Sequence, residues 1–473
     1  MIKTFAGIFM AVALMCHFPV MAEDVMLKVK APGKIKPVVV KENGYLYATP
    51  DILKIGKKWD ILVDGKKAFA IVSIDKNQEP IKVPLAVTLI QGKPFVDVSF
   101  YADPAGFCYK VNEKKGSIDI RQKKDRTEKK QNERLGTIKE TPVLMMWDPD
   151  LRFTEDAPFF TDLRARRILC PTWGSYLFFA SGENVPDLDY LNKAKGKGIE
   201  VMPLIHNDFD LPATSALMHN QKAQSELQRK MAAYSRVYGL SGYNIDFENM
   251  EVRDKYLFSD FISALSGYMH AMDKQVSVDI TVYMETSLAW SMCYDRKSLG
   301  KAADYEVVMG YDQTPAGSKT PGPNSSWEWL NRHIQVLIRD IPPNQFILGL
   351  PLYTRIWETD GKKTKAKTLY MRFTPETLKT KGIRVTWSGK DRQYMANWKS
   401  GSKAYQVWVE DALSLKEKAR LMKAYNLAGL AFWRYGYEMP GMYGQIESVL
   451  SEKNAGRFGS FLRRKEKEYT AEG

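Results

Sequence analysis

Cysteine and histidine are scarce in this sequence, at 4 and 5 of 473 residues. Cys16 lies in an apolar N-terminal stretch, and the other three cysteines are Cys108, Cys170 and Cys293. Three scattered thiols make neither a disulfide framework nor a metal-ligand spacing. No histidine pair has a metalloenzyme spacing, and no glycine-rich phosphate loop follows a strand-like run. We therefore expect neither a metal nor another cofactor.

Long apolar runs are also missing. A membrane-spanning helix needs about 20 consecutive apolar residues, and no segment of the sequence supplies them. Residues 1–22 instead have the features of a secretory signal peptide. Lys3 is basic, residues 5–14 are apolar, and Ala22 supplies a small residue at the cleavage position. This pattern predicts that the protein is secreted or associated with the cell wall.

The net charge is +14, and residues 23–140 hold 24 Lys or Arg against 16 Asp or Glu. A basic exported protein is suited to contact with anionic cell-wall polymers or membrane surfaces. An ordinary solvated basic face explains the same excess equally well. Nucleic acid is not an expected partner, because the basic residues are not interleaved with aromatic residues in a known binding module.

The length favours more than one domain. Residues 23–120 consist of short β-like runs broken by Gly, Pro and Asn, which predicts a small α+β domain. Residues 121–140 are almost all polar and predict a charged linker. Residues 141–445 form a larger domain, and residues 446–473 form a basic C-terminal tail.

Apolar runs alternate with helix-like stretches in the larger domain, which predicts a (β/α)8 TIM barrel with strands buried on both faces. The predicted strands are residues 143–147, 167–171, 199–205, 242–248, 276–282, 305–311, 346–352 and 429–433. In such a barrel the C-terminal ends of all strands share one rim, so residues that follow the strands converge. The polar and aromatic residues at these ends are Asp148, Trp173, Asn207, Glu248, Tyr283, Tyr311, Asp312, Tyr353, Arg355, Trp433 and Arg434.

The fourth predicted strand ends in acidic residues. Side chains alternate along a strand, so Asn244, Asp246 and Glu248 share one face, and Tyr243, Ile245 and Phe247 share the other. Burying two carboxyl groups costs several kcal/mol unless they are paired or protonated. A structural ion pair is one interpretation. The other is a general acid with an orienting partner, because closely spaced carboxylates raise a pKa.

These residues resemble glycoside hydrolase family 18, which carries D-x-x-D-x-D-x-E on its fourth barrel strand. The four positions here hold Ser241, Asn244, Asp246 and Glu248. Residues 309–312, 348–355 and 429–436 resemble the family's sixth-, seventh- and eighth-strand segments. The N-x-D-x-E-N variant, with residues 171–173 and 407–411, is similar to the spore-cortex-lytic N-acetylglucosaminidase branch. Residues 92–120 loosely resemble the copper amine oxidase-like N-terminal domain, a module whose name does not imply copper.

The resemblance implies substrate-assisted catalysis, an exception to the usual two-carboxylate scheme. Glu248 would protonate the leaving oxygen and later activate water, while the substrate's N-acetyl oxygen attacks the anomeric carbon. Asp246 would orient the acetamide and Tyr311 would donate a hydrogen bond to it. The implied substrate-binding residues are Asn244, Asp312, Trp433, Tyr353, Arg355, Trp173 and Asn207. For Trp173 and Asn207, a role in loop packing is an equal alternative.

Asn244 is the departure from the motif that matters most. An amide cannot take up the proton that an Asp at this position shares with the middle Asp. We expect Asn244 to donate a hydrogen bond to Asp246, and one fewer negative charge to leave Asp246 easier to ionise.

The implied function is hydrolysis of β-1,4 bonds at N-acetylglucosamine in peptidoglycan. A chitinase or chito-oligosaccharide hydrolase is a second interpretation. A barrel that binds glycan without cleaving it is a third, against which the two retained carboxylates argue.

Overall fold

The computed structural model describes residues 25–123 and 141–452, except residues 33 and 155. The predicted signal peptide, nearly all of the predicted linker and residues 453–473 of the predicted tail lie outside the described residues.

The N-terminal region is a small sheet-rich α+β unit, as predicted. Its elements are β1 Val25–Lys30, β2 Val39–Glu42, β3 Tyr45–Ala48, β4 Asp60–Asp64, β5 Lys67–Val72, β6 Ile81–Pro84, β7 Thr88–Ile90, β8 Lys93–Asp97, α1 Val98–Ala105, β9 Phe107–Asn112 and β10 Ser117–Gln122. One sheet has the order β7-β8-β3-β2-β1-β10-β9 and a smaller one the order β4-β5-β6. Asp97 caps α1 by accepting hydrogen bonds from the backbone N–H groups of Ser99 and Phe100, and Gly106 ends this helix at a φ of 88°.

Parallel strands alternating with helices follow, as the predicted barrel requires. The strands are β11 Val143–Asp148, β12 Arg166–Ser175, β13 Glu200–Val201, β14 Leu204–His206, β15 Gly242–Asp246, β16 Gln275–Thr281, β17 Tyr305–Met309 and β18 Phe346–Pro351. The helices are α2 Leu188–Gly196, α3 Leu211–Met218, α4 Gln221–Tyr238, α5 Lys255–His270, α6 Arg296–Ala302 and α7 Trp327–Leu337. The third predicted strand is split into β13 and β14, with Pro203 between them.

A second antiparallel sheet, which the sequence did not predict, is inserted after β18. Its elements are β19 Tyr353–Asp360, β20 Lys363–Tyr370, α8 Thr374–Thr380, β21 Thr386–Ser388, β22 Gln393–Ser400 and β23 Lys403–Val409. The strand order is β20-β19-β23-β22-β21, and one face of the sheet packs on α8 through Ile356, Leu378 and Val407. The chain then continues through α9 Ala412–Ala424, β24 Gly429–Trp433 and α10 Met442–Ser451.

The barrel closes because β11 pairs in parallel with both β12 and β24. Counting β13 and β14 as one position, the barrel has eight strands, and the predicted TIM barrel is confirmed. The last helix, α10, runs past the predicted domain boundary at residue 445 and buries Ile446 and Val449.

The N-terminal unit docks on α4 of the barrel. Tyr238 donates a hydrogen bond to the backbone oxygen of Pro84 at 2.5 Å, and its ring lies 6.2 Å from that of Tyr101. Arg236 Nη1 donates to the backbone oxygen of Ser73 at 3.0 Å. In the part of the chain that the structure describes, no helix is long and apolar enough to cross a membrane.

Candidate active site

The alternation predicted for the fourth barrel strand is present in β15. Tyr243, Ile245 and Phe247 are buried in the core between strands and helices. Asn244 points into the barrel, where it is fully buried. The polar face of β15 therefore meets the polar residues of the neighbouring strands at the C-terminal end of the barrel.

Asn244 is held from two sides. Its Oδ1 accepts a hydrogen bond from Trp147 Nε1 at 2.8 Å. Its Nδ2 donates to Ser277 Oγ at 3.0 Å and to Asp279 Oδ1 at 2.7 Å. The prediction that Asn244 donates a hydrogen bond to Asp246 is wrong, because its Nδ2 donates to residues of β16 instead.

Asp279 is a site residue that the sequence analysis missed. It lies on β16, is 1% exposed, and also accepts a hydrogen bond from Trp147 Nε1 to Oδ2 at 3.1 Å. Burial, reinforced by Asp246, raises the pKa of the Asp279 carboxyl well above its usual range. Asn244 was expected to leave Asp246 with one fewer negative charge nearby, but β16 supplies a second acidic neighbour in Asp279. A signal was present: Ser277, Asp279 and Thr281 alternate within an apolar run, as Asn244, Asp246 and Glu248 do.

The two predicted catalytic carboxyl groups lie in an environment that favours their protonated forms. Burial raises the pKa of Asp246 to about 7. Burial, with added repulsion from Asp246 and Asp312, raises the pKa of Glu248 to about 9. Glu248 therefore holds a proton at neutral pH, which a general acid requires. Asp246 Oδ1 is buried and has no hydrogen-bond partner within the described residues.

The backbone of Glu248 is fixed by Asn207, which follows β14 and is 1% exposed. Asn207 Oδ1 accepts from the Glu248 N–H at 3.0 Å, and its Nδ2 donates to the Glu248 carbonyl at 2.7 Å. Nδ2 also donates to Thr214 Oγ1 at 2.9 Å. One residue earlier, Tyr294 donates to the carbonyl of Phe247 at 2.9 Å. The structure thus places Asn207 as a support for Glu248, while its predicted contact with substrate stays a prediction.

Asp312 is the centre of a second network. Tyr353 donates to Asp312 Oδ1 at 2.6 Å, and Arg355 Nη2 donates to the same oxygen at 2.7 Å. Arg355 is buried, whereas the Asp312 side chain is 49% exposed. Tyr311 precedes Asp312, and its ring lies 6.4 Å from that of Tyr353. The buried Tyr353 and Arg355 therefore hold Asp312, which is the most accessible member of the group.

The two tryptophans that were predicted to contact the substrate, Trp433 and Trp173, have different surroundings. Trp433 is half-buried at the end of β24 and packs on Trp147 with ring centroids 5.8 Å apart, beside the barrel interior. The peptide bond between Trp433 and Arg434 is cis. Trp173 instead packs on Phe178 at 5.0 Å and on Tyr243 at 6.4 Å, on the helix side of the strands. The structure brings Trp433, but not Trp173, to the interior group around Asn244.

Cation ligands are not grouped in the described portion of the chain: no three His, Cys, Asp or Glu side chains there could hold a metal ion. The site is a set of buried carboxyl groups, amides and aromatic rings at the strand ends. Within this set, Glu248 can deliver a proton, Asp246 can accept hydrogen bonds, and Trp433 can present a flat ring to a bound molecule.

Several known proteins are similar to this chain in sequence. The sequence is 25% identical over 283 residues to an uncharacterized glycosylase, YvbX, of Bacillus subtilis (strain 168), a match that covers 58% of this chain and 82% of that protein. It is 21% identical over 235 residues to the cortical fragment-lytic enzyme of the same organism, covering 47% of this chain. The chain spans 53% of that enzyme's length.

Solved structures share the fold at low sequence identity. A chitinase from Chromobacterium violaceum ATCC 12472 has a TM-score of 0.57 and 20% identity, over 66% of this chain and all of that one. The spore cortex-lytic enzyme SleL of Bacillus cereus also has a TM-score of 0.57, with 17% identity over 72% of this chain and 78% of that one. Residues 153–438, more than half of the sequence, match the family model Glycosyl hydrolases family 18. The chain belongs to glycosyl hydrolase family 18.

Proposed function

We propose that this glycosidase is exported and hydrolyses β-1,4 bonds at N-acetylglucosamine in peptidoglycan. The observation that carries the proposal is the placement of Glu248 just after β15, where Asn207 holds its backbone. Burial beside Asp246 raises the pKa of its carboxyl group. The names of relatives that act on spore cortex favour peptidoglycan as the substrate. Export is supported by the signal-like residues 1–22.

The mechanism begins with the proton on Glu248. Its transfer to the glycosidic oxygen lets the leaving sugar depart, while the acetamide oxygen of the remaining sugar bonds to the anomeric carbon. The resulting oxazolinium ion is positively charged, and the ionised form of Asp246 stabilises it next to the acetamide N–H. Tyr311 donates a hydrogen bond to the acetamide, and Trp433 stacks beneath the sugar ring.

Glu248 then accepts a proton from water, which attacks the anomeric carbon from the face that the leaving sugar vacated. Two displacements at one carbon return it to its original configuration, so the reaction is retaining. Asp312 keeps its hydrogen bonds from Arg355 and Tyr353 throughout. These contacts fix the segment that begins with Tyr311 while substrate binds.

Chitin is the second candidate substrate. The structures with chitinase names favour it, because they share the fold over two thirds of this chain. Asn244 argues against chitinase-like behaviour, since the chitinase-like motif has an Asp at that position.

Digestion of purified cell-wall sacculi and of chitin oligosaccharides, followed by borohydride reduction and mass spectrometry, tests the proposal. The expected soluble products carry reduced N-acetylglucosamine at their ends, and the Glu248→Gln control releases none. Reduced muramic acid ends would overturn the proposed bond specificity. Cleavage of chitin oligosaccharides alone would favour the chitinase. Binding of sacculi without any release would identify a glycan-binding barrel.

A further inference from the structure

Asp246 and Asp279 are neighbours across two parallel strands. The β15–β16 register pairs Asn244 with Ser277 and Ile245 with Val278, so Asp246 is level with Asp279 at the next position. Both side chains are on the inner face of the barrel, and adjacent strands are about 4.8 Å apart. Two buried carboxyl groups on neighbouring positions of adjacent strands cannot both carry full charge without a large energetic cost.

The hydrogen bonds around the two groups are unequal. Each oxygen of Asp279 accepts one bond, from Asn244 at 2.7 Å or from Trp147 at 3.1 Å. Asp246 Oδ1 is buried and finds no hydrogen-bond partner among the residues that the structure describes, although the residue as a whole is partly exposed. A buried acceptor without a donor costs about 1–3 kcal/mol. A single proton between the two carboxyl groups would remove that cost and half of their combined charge.

We propose that Asp279 is a positioning residue that shares one proton with Asp246 and so replaces, from the next strand, the acid that is absent at Asn244. The inference rests on the proposed function and specifies how Asp246 becomes a carboxylate when substrate binds. Asp246 is protonated towards Asp279 in the free enzyme. When substrate binds, the proton moves onto Asp279 and Asp246 faces the acetamide as a carboxylate. The pair carries one negative charge before and after, so no further proton acceptor is needed.

Other ionisable groups near Asp246 and Asp279 do not take up the proton that these two residues share. Glu248 on the same strand end has a raised pKa and is itself protonated. Burial raises the pKa values of Tyr311, beyond β17, and of Cys170, on β12, well above their usual ranges, so both are neutral at pH 7. Arg296 and Arg355 make their hydrogen bonds elsewhere, to β16 loop atoms and to Asp312 respectively.

Asp279→Asn is the first test, because the amide keeps the shape of the side chain and an oxygen for Trp147 or Asn244. A purely structural Asp279 predicts nearly normal activity. A shared proton predicts that kcat on a chromogenic N-acetylglucosamine oligomer falls about 100-fold, the effect of a misplaced reacting group. The acid limb of the kcat/KM profile should also move to lower pH, since Asp246 then ionises without an acidic neighbour.

The exchange variant Asn244→Asp/Asp279→Asn is the matched rescue. It returns the carboxyl group to β15 and should recover kcat to within about tenfold of the wild type, if positioning is what was lost. Unchanged kcat and pH profile in Asp279→Asn would overturn the proposal. So would an exchange variant that folds, by circular dichroism and thermal melting, but is no more active than the single variant.

Infrared difference spectroscopy keeps the test independent of turnover. In a Glu248→Gln background, the titration should show a carboxylic-acid band that disappears when either Asp246 or Asp279 is changed to Asn, beside bands of other buried acids, such as Glu306, that neither change removes. Loss on changing only one of them would place the proton on a single residue and overturn the sharing. If the wild type proves inactive on every N-acetylglucosamine substrate, the proposed function fails while this spectroscopic result still decides the pair.

Discussion

Replacing Asn207 with alanine tests whether this side chain holds the general acid in place. Asn207 is buried and makes three hydrogen bonds, two to the backbone of Glu248 and one to Thr214. Because the side chain of Glu248 follows its backbone, removing the two backbone bonds should let the carboxyl group move relative to the glycosidic oxygen.

The structure sets the size of the effect. Three lost hydrogen bonds at a net value of about 1 kcal/mol each predict that Asn207→Ala loses about 3 kcal/mol of unfolding free energy. A displacement of Glu248 by about 1 Å predicts a fall in kcat of about 100-fold. Thr214→Val is the matched control, because it removes one bond of Asn207 and the bond from Thr214 to the Asp210 carbonyl, but leaves both bonds to Glu248. It should cost about 2 kcal/mol and leave kcat unchanged.

Urea denaturation and steady-state kinetics on a chromogenic N-acetylglucosamine oligomer measure both effects, at a temperature where each variant is folded. Equal kcat values for Asn207→Ala and the wild type would show that Glu248 is positioned by other contacts. Equal losses of kcat in Asn207→Ala and Thr214→Val would assign the effect to general loosening of the loop after β14.

Three further predictions concern stability and wall binding. Lys418→Met leaves the fully buried Glu410 without its ion-pair partner and should cost about 3–5 kcal/mol in chemical denaturation, more than the double variant with Glu410→Gln. The pKa of Glu248 is near 4.5 in the unfolded chain and near 9 in the folded protein, so its contribution to stability is lost as pH rises between these values. Glu248→Gln should therefore be the more stable protein, by on the order of 5 kcal/mol near pH 8, and equal melting temperatures from pH 5 to 9 would contradict this. Replacing the exposed Lys110 and Lys114 with Gln should reduce co-sedimentation with sacculi in low salt but not hydrolysis of soluble oligomers, and unchanged co-sedimentation would remove the proposed role of the basic domain.

The barrel could be predicted because its strands are buried on both faces and so appear as continuous apolar runs. The inserted sheet could not, because its strands are half-exposed. β20, Lys363–Tyr370, alternates Lys and Thr with few apolar residues, as an edge strand does. The third barrel strand was predicted as one run, but Pro203 lacks the N–H group that an uninterrupted ladder needs.

Asp246 and Glu248 could be predicted from the pattern of a single strand, whereas the residues that hold them depend on contacts between strands. The alternation around Asp246 and Glu248 is local, so the sequence places both on one face. The link from Asn244 to Asp279 spans 35 residues, and that from Asn207 to Glu248 spans 41. Only the register of neighbouring strands brings such residues together, which is why Asp279 was missed and the support that Asn207 gives to Glu248 was not predicted.

The central claim is that the acetamide of the substrate, and not a carboxylate of the enzyme, attacks the anomeric carbon. The most direct test compares hydrolysis of two matched oligosaccharides, one N-acetylated and one de-N-acetylated at the sugar whose anomeric bond breaks. The mechanism predicts that kcat/KM falls by at least about three orders of magnitude without the acetyl group, because the positioned nucleophile is lost. Comparable rates on the two substrates would mean that Asp246 or another carboxylate attacks directly, and would contradict the mechanism while leaving the fold and the family unchanged.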